Sequence, residues 1–122
     1  MVTFRLHEVI LYVQDMGRQV SFYRDFLRLP VLFPADLSNV EELDWVTFDT
    51  GACKLALHSG GKCDFGIDAP KFVLSVDDLE EWHSRLSSVA VNVDKIRSPA
   101  LGIRLFDAMD FEGNRFSIES VQ

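Results

Sequence analysis

Glu8 and Lys71 are the residues from which chemistry could start, because they carry opposite charges at equivalent points of a sequence that repeats itself. From Glu8 the chain reads EVILYVQDM, and sixty-three residues later, from Lys71, it reads KFVLSVDDL. Val9 falls on Phe72, Ile10 on Val73, Leu11 on Leu74, Val13 on Val76, Asp15 on Asp78 and Met16 on Leu79. A carboxylate can accept a proton, and an ammonium can polarise a carbonyl or receive an anion. Farther along, Lys54-Leu55-Ala56-Leu57-His58 lies over Arg115-Phe116-Ser117-Ile118-Glu119 at a separation of sixty-one. Histidine is the side-chain type suited to acid–base or ligand work near neutral pH, which makes His58 a candidate, and Glu119 adds a second carboxylate. In a strand, residues two apart share a face, so Tyr12 joins Glu8 and Ser75 joins Lys71. His7 points to the other side and is expected to be structural or exposed.

These side chains need elements to hold them. Residues 4–13 are rich in Val, Ile, Leu and Tyr and suit a strand. Asp15 then caps a helix whose apolar positions, Met16, Val20, Tyr23 and Leu27, step by four, three and four. Phe22 and Phe26 widen that stripe, and the excess is expected to meet a partner subunit. Pro30 closes the helical region. Val31 to Phe33 is a short strand, residues 34–44 a polar loop, and Trp45 to Asp49 with Cys53 to His58 a pair of strands joined across Thr50 and Gly51. Residues 59–70, with three glycines and a proline, form the joint between modules and are long enough for a lid. A strand from Lys71, a helix capped by Asp77 or Asp78 and carrying Leu79, Trp82 and Leu86, and strands at 89–96, 103–109 and 115–120 repeat the order. Asp110-Phe111-Glu112-Gly113-Asn114 makes the last turn. The expected domain is therefore 1–122, with modules 1–60 and 69–122.

Composition removes several classes of function. A net charge of −7 disfavours a nucleic acid partner, which needs clustered Lys and Arg. No apolar run approaches the length of a membrane span, and the charged beginning MVTFRLHEV does not read as a secretory signal, so a cytoplasmic protein is expected. With no secretory context, Cys53 and Cys63 read as plain thiols. His83 reads as a surface residue and Trp45 and Trp82 as core.

The sequence resembles the vicinal oxygen chelate superfamily, which holds glyoxalases, bleomycin- and fosfomycin-resistance proteins and extradiol dioxygenases. The resemblance rests on EVILYVQDM followed by SFYRDFL, on KFVLSVDDL, and on DFEGNRFSIES, where Phe111 stands in place of the proline usual in that family's hairpin. It covers nearly the whole chain. It implies an α+β fold of paired βαβββ modules forming a glyoxalase-like open barrel around a cavity, and a homodimer. It also implies a divalent metal held by residues that fall here at Glu8, Ala56, Lys71 and Ser117.

That set departs from a metal site. Ala56 has no donor atom, Ser117 is a poor ligand, and Lys71 brings an ammonium with no lone pair. The expected cofactor is therefore none, with Lys71 standing in for the cation and facing Glu8. The alternative is a displaced ion such as Fe, Mn, Ni or Zn held by Glu8, His58 and Glu119. The first functional expectation is a metal-independent module binding a small apolar or anionic molecule through Glu8, Tyr12, His58, Lys71, Ser75, Ser117 and Glu119, with Ile10 and Val73 as apolar lining. The second is a metal-dependent lyase, isomerase or dioxygenase. A third is a metal-free enzyme with Lys71 as electrophile and Glu8 as base.

Overall fold

The repeat is carried into strand pairing. In a computed structural model that describes residues 7–60 and 71–120, the strands are β1 Glu8–Tyr12, β2 Val31–Phe33, β3 Trp45–Asp49, β4 Lys54–His58, β5 Phe72–Val76, β6 Arg97–Ala100, β7 Ile103–Met109 and β8 Arg115–Ser120. Two helices, α1 Met16–Ser21 and α2 Leu79–Ser88, follow the first strand of each copy. The strands make two four-stranded sheets of identical order, β1-β4-β3-β2 and β5-β8-β7-β6. In each, the first strand runs parallel to the last, Val9 opposite Leu55 and Phe72 opposite Phe116. Those pairs are related by the same offsets, sixty-three and sixty-one, that align the sequence copies. The chain divides into two compact units, Met1–Cys63 and Asp64–Gln122.

Alternation fixes which face each strand buries. In the first unit Leu11, Val46, Phe48, Leu55 and Leu57 are buried. They share that side of the core with Met16, Val20, Phe22 and Tyr23 of the helical segment. The Asp15 side chain caps α1 by accepting from Arg18 N at 3.0 Å, which satisfies a donor the helix cannot. After Ser21 the helix widens into a π-turn over Phe22–Phe26, closed by Leu27 N donating to Phe22 O at 3.1 Å. The extra residue in that turn brings Phe22 and Tyr23, adjacent in sequence, into the core together. Phe22 is fully buried within this chain, so it is not the surplus surface that the regular spacing implied. Among the described residues no helix is long and apolar enough to cross a membrane.

In the second unit Asp78, not Asp77, caps α2, accepting from Glu81 N at 3.0 Å. Leu79 and Leu86 are buried, and His83 lies between them on the same stripe. It is half-buried rather than exposed. Its ring meets Phe106 edge-on at 4.9 Å, and Nε2 stands 2.8 Å from the Asp94 carbonyl oxygen. The strand expected over 89–96 does not form. Ala90 takes a positive φ of 62° and Val91 N returns to Leu86 O, which ends the helix and turns the chain. Only a single bridge, Val93 to Ala108, joins this stretch to the sheet. The edge strand comes later, at Arg97–Ala100, where Pro99 withholds no ladder donor that a central strand would need. Gly102, at φ 79°, makes the tight return from Ala100 to Ile103.

The last hairpin is organised by a buried carboxylate. Asp110 Oδ1 accepts from the backbone N–H groups of Glu112 and Asn114, both at 2.9 Å, and Oδ2 accepts from Asn114 Nδ2 at 2.9 Å. Gly113 supplies the positive φ of 85° that the turn demands. Asp110→Ala would leave buried N–H groups without an acceptor, and a loss of about 3 kcal/mol is expected, read as a lower midpoint in urea unfolding.

Candidate functional site

Each sheet has one apolar face against its helix and one polar face, and all seven residues singled out from the sequence lie in positions on the polar faces. In the first unit the register makes three rungs: Glu8–Lys54–Asp49, Ile10–Ala56–Thr47 and Tyr12–His58–Trp45. The register neighbour of Glu8 is thus Lys54 of its own sheet. Among the described residues no cation is within ion-pair distance of Glu8.

The third rung is an aromatic corner. The His58 ring lies 5.3 Å from Tyr12 and 5.2 Å from Trp45, tilted to both. Trp45 Nε1 donates to Thr47 Oγ1 at 2.8 Å, which ties the indole back along its own strand. His58 Nδ1 lies 3.0 Å from the Asp44 carbonyl oxygen and 3.2 Å from Gly60 N. These two contacts ask opposite roles of one nitrogen, and protonation on Nδ1 satisfies the shorter. A Cβ on Gly60 would stand 2.8 Å from Cε1 and 3.1 Å from Nε2 of the ring, so the chain passes close over its outer edge. Tyr12 and Ile10 are nearly half exposed, at 48% and 41%. Trp45 therefore belongs with the site residues rather than with the core alone. Its alternation with buried Val46 placed it opposite the core and was the signal available.

In the second unit the polar face is centred on Asp107, which reasoning from the sequence passed over. Asp107 pairs with Ser117 across β7 and β8. Its Oδ1 accepts from Lys71 Nζ at 2.8 Å and from Ser117 Oγ at 2.5 Å, while Oδ2 accepts from Arg97 Nη2 at 2.9 Å. Lys71 thus has its ionic partner within its own module. Burial pushes the Asp107 carboxyl up, but the hydrogen bonds from Lys71, Ser117 and Arg97, with the charge of Lys71, outweigh it and hold the group well below the usual carboxylate range. Ser117 is buried. Ser75 is exposed, and Glu119, opposite Ser75 and Leu105, is half-buried. Aligning β7 on β3 places Asp107 over Thr47, each opposite the residue that aligns with Ala56 or Ser117. That alignment could have exposed it.

A hollow of about 100 Å³ lies on the same sheet, lined by Asn92, Asp94, Asp107, Ala108, Met109 and Arg115. Cys53 is half-buried, with Sγ 3.5 Å from Lys54 O. Cys63 and most of the 59–70 joint, with its expected lid, lie outside the described residues.

The residues at the implied metal positions do not fit an ion. Ala56 is fully buried with no donor atom, while Lys71 and Ser117 are both committed to Asp107. For the displaced site, Glu8 and His58 stand at opposite ends of the β1–β4 register, about 13 Å apart along the strands. That exceeds what the two side chains can span to share an ion at about 2 Å from each. Among the described residues no group of three or more His, Cys, Asp or Glu gathers around one point.

No family model matches the chain, and no curated protein matches it in sequence. Solved structures do. It is similar to lactoylglutathione lyase from Agrobacterium tumefaciens, at 21% identity and a TM-score of 0.74, with 94% of this chain and 92% of that one covered. A member of the glyoxalase/bleomycin resistance protein/dioxygenase superfamily from Sphaerobacter thermophilus superposes at TM-score 0.74 and 19% identity, covering 97% and 98%. The fosfomycin resistance protein FosX from Mesorhizobium loti gives 0.70 and 14%, covering 100% and 95%. At these identities the likeness is one of fold.

Proposed function

We propose that this chain, which has the paired βαβββ fold of the glyoxalase/bleomycin-resistance/dioxygenase superfamily, is a small-molecule-binding module that works without a resident divalent ion. The observation that carries this reading is the fate of the implied ligand positions. Alanine fills one, and the lysine and serine at two others are bound to a common carboxylate, Asp107. Alanine and an ammonium have no lone pair to give and a hydroxyl is a poor ligand, so these positions fall short of the three or four donors a resident metal needs. They can present fixed charge and hydrogen-bond donors on an otherwise exposed face.

The ligand chemistry follows from what remains open. Tyr12, backed by His58 and Trp45, offers a flat aromatic surface beside the apolar side chain of Ile10. Stacking on such a surface contributes about 1 kcal/mol beyond the area it buries, which favours a planar or aromatic group. Glu8 and Lys54 share the rung beyond Ile10 and would select for polar substituents at the far end of the ligand.

The test is a thermal-shift screen of small aromatic acids and amides on protein dialysed against a chelator. Ligand-induced stabilisation that persists without metal is expected, growing with ligand concentration as linkage requires. Y12A should reduce it. Stabilisation that needs an added divalent ion, or a stoichiometric ion surviving dialysis and lost with binding, would refute the proposal.

A further inference from the structure

Asp107 holds more positive charge than one carboxylate can neutralise. Lys71 Nζ lies on one of its oxygens and Arg97 Nη2 on the other, at 2.8 and 2.9 Å. The carboxylate is mostly covered, with 18% of its side chain exposed, whereas the two cations are 44% and 49% exposed. The anion is therefore the buried floor, and the cations are its outer layer. An ammonium has three donors and a guanidinium five, and each spends one here on Asp107. Within this trio two positive charges stand against one negative, and the cations are its more exposed members.

Two like charges are not brought together on an exposed face without a reason. Surface ion pairs contribute roughly 0–1 kcal/mol each, too little to explain a second cation on a carboxylate that one already neutralises. The chain as a whole carries −7, so its overall field repels anions, and an anion site has to come from a local gathering such as this. The nearby hollow is a poorer candidate, because its lining holds two carboxylates, Asp94 and Asp107, and one cation, Arg115.

We infer that Lys71 and Arg97, held side by side on Asp107, form a receptor for a small oxyanion, the carboxylate or phosphate group of a ligand. This rests on the reading of the chain as a binding module and names the ligand class of its second unit. Arg97 supplies a flat pair of donors that fits two oxygens, Lys71 a point charge beside it. Ser117 anchors the floor from beneath.

The test uses the full chain with inorganic phosphate and, separately, acetate, at fixed ionic strength with chloride as the reference anion. Binding is followed by calorimetry or by amide chemical shifts. Saturable binding of at least one of the two is expected. K71Q and R97Q should each weaken it by about tenfold, as loss of one charge-assisted bond implies, and the double variant should abolish it. R104Q is the control: Arg104 pairs with Glu80 on helix α2, so its removal should leave affinity unchanged. Absence of saturable binding to both anions, or equal weakening by R104Q, would overturn the inference. Both residues are half exposed, so the variants should fold, and an unchanged unfolding midpoint verifies it. An anion site confirmed in this way would stand even if the chelator screen showed a metal requirement, so the two proposals fail separately.

Discussion

Asp107→Ala is expected to lower stability by about 3 kcal/mol. The ion pairs to Lys71 and Arg97 contribute little of this, because those cations can return to water. The larger part is the buried Ser117 hydroxyl, which donates to Asp107 at 2.5 Å and would be left without its acceptor. D107N keeps the shape and one carbonyl oxygen and should cost less, near half.

Acid sensitivity separates the charge from the shape. The folded-state pKa of Asp107 lies below its unfolded value, so the unfolded chain binds the proton more readily. The stabilisation is therefore present in full above about pH 4 and fades as the pH falls toward the folded-state value. D107N lacks that component, so the gap between wild type and D107N in urea midpoint should be widest near neutrality and shrink in acid. A gap that stays constant down to the acid limit would mean that the carboxylate is not held ionised by its neighbours.

Phe106→Ala should cost more, about 4 kcal/mol. Phe106 is fully buried, meets the His83 ring edge-on and lies next to Asp107 on the opposite face of β7. Its removal opens a cavity beneath α2 and also loosens the strand that positions the carboxylate. Against a typical total of about 5–15 kcal/mol, such a loss removes from about a quarter to about four-fifths of the stability. Circular dichroism melts would show it as a fall in Tm of several degrees for each kcal/mol lost. Phe106→Leu refills most of the volume and should recover more than half the stability. A variant as stable as wild type would mean that this face of α2 is not packed as described.

The sequence alone determined the duplication, and with it the order of elements and the expectation that whatever register one copy takes the other repeats. Copies aligned at offsets of sixty-three and sixty-one can only pair Val9 with Leu55 if they pair Phe72 with Phe116. Helix caps at Asp15 and Asp78 were legible for a related reason: capping depends on residues three apart in the chain. Period-two alternation also placed Glu8, Tyr12, Lys71, Ser75, Ser117 and Glu119 on polar faces. The 89–96 strand was misread because Val89, Val91 and Val93 alternate as a strand does, while Ala90 turns the chain with a positive φ. His83 was misread because its acidic neighbours outweighed its place on the Leu79–Leu86 stripe.

Tertiary structure decided which polar residues on those faces are joined. Lys71, Arg97, Asp107 and Ser117 come from four strands or strand ends spread over 47 positions of sequence, and Tyr12, Trp45 and His58 from three. Local sequence fixes the face on which a side chain stands, since that depends on backbone alternation. It cannot fix the neighbour on the next strand, because that depends on a register set by turns and core packing elsewhere. Asp107 became the centre of its face only when β7 was laid beside β8.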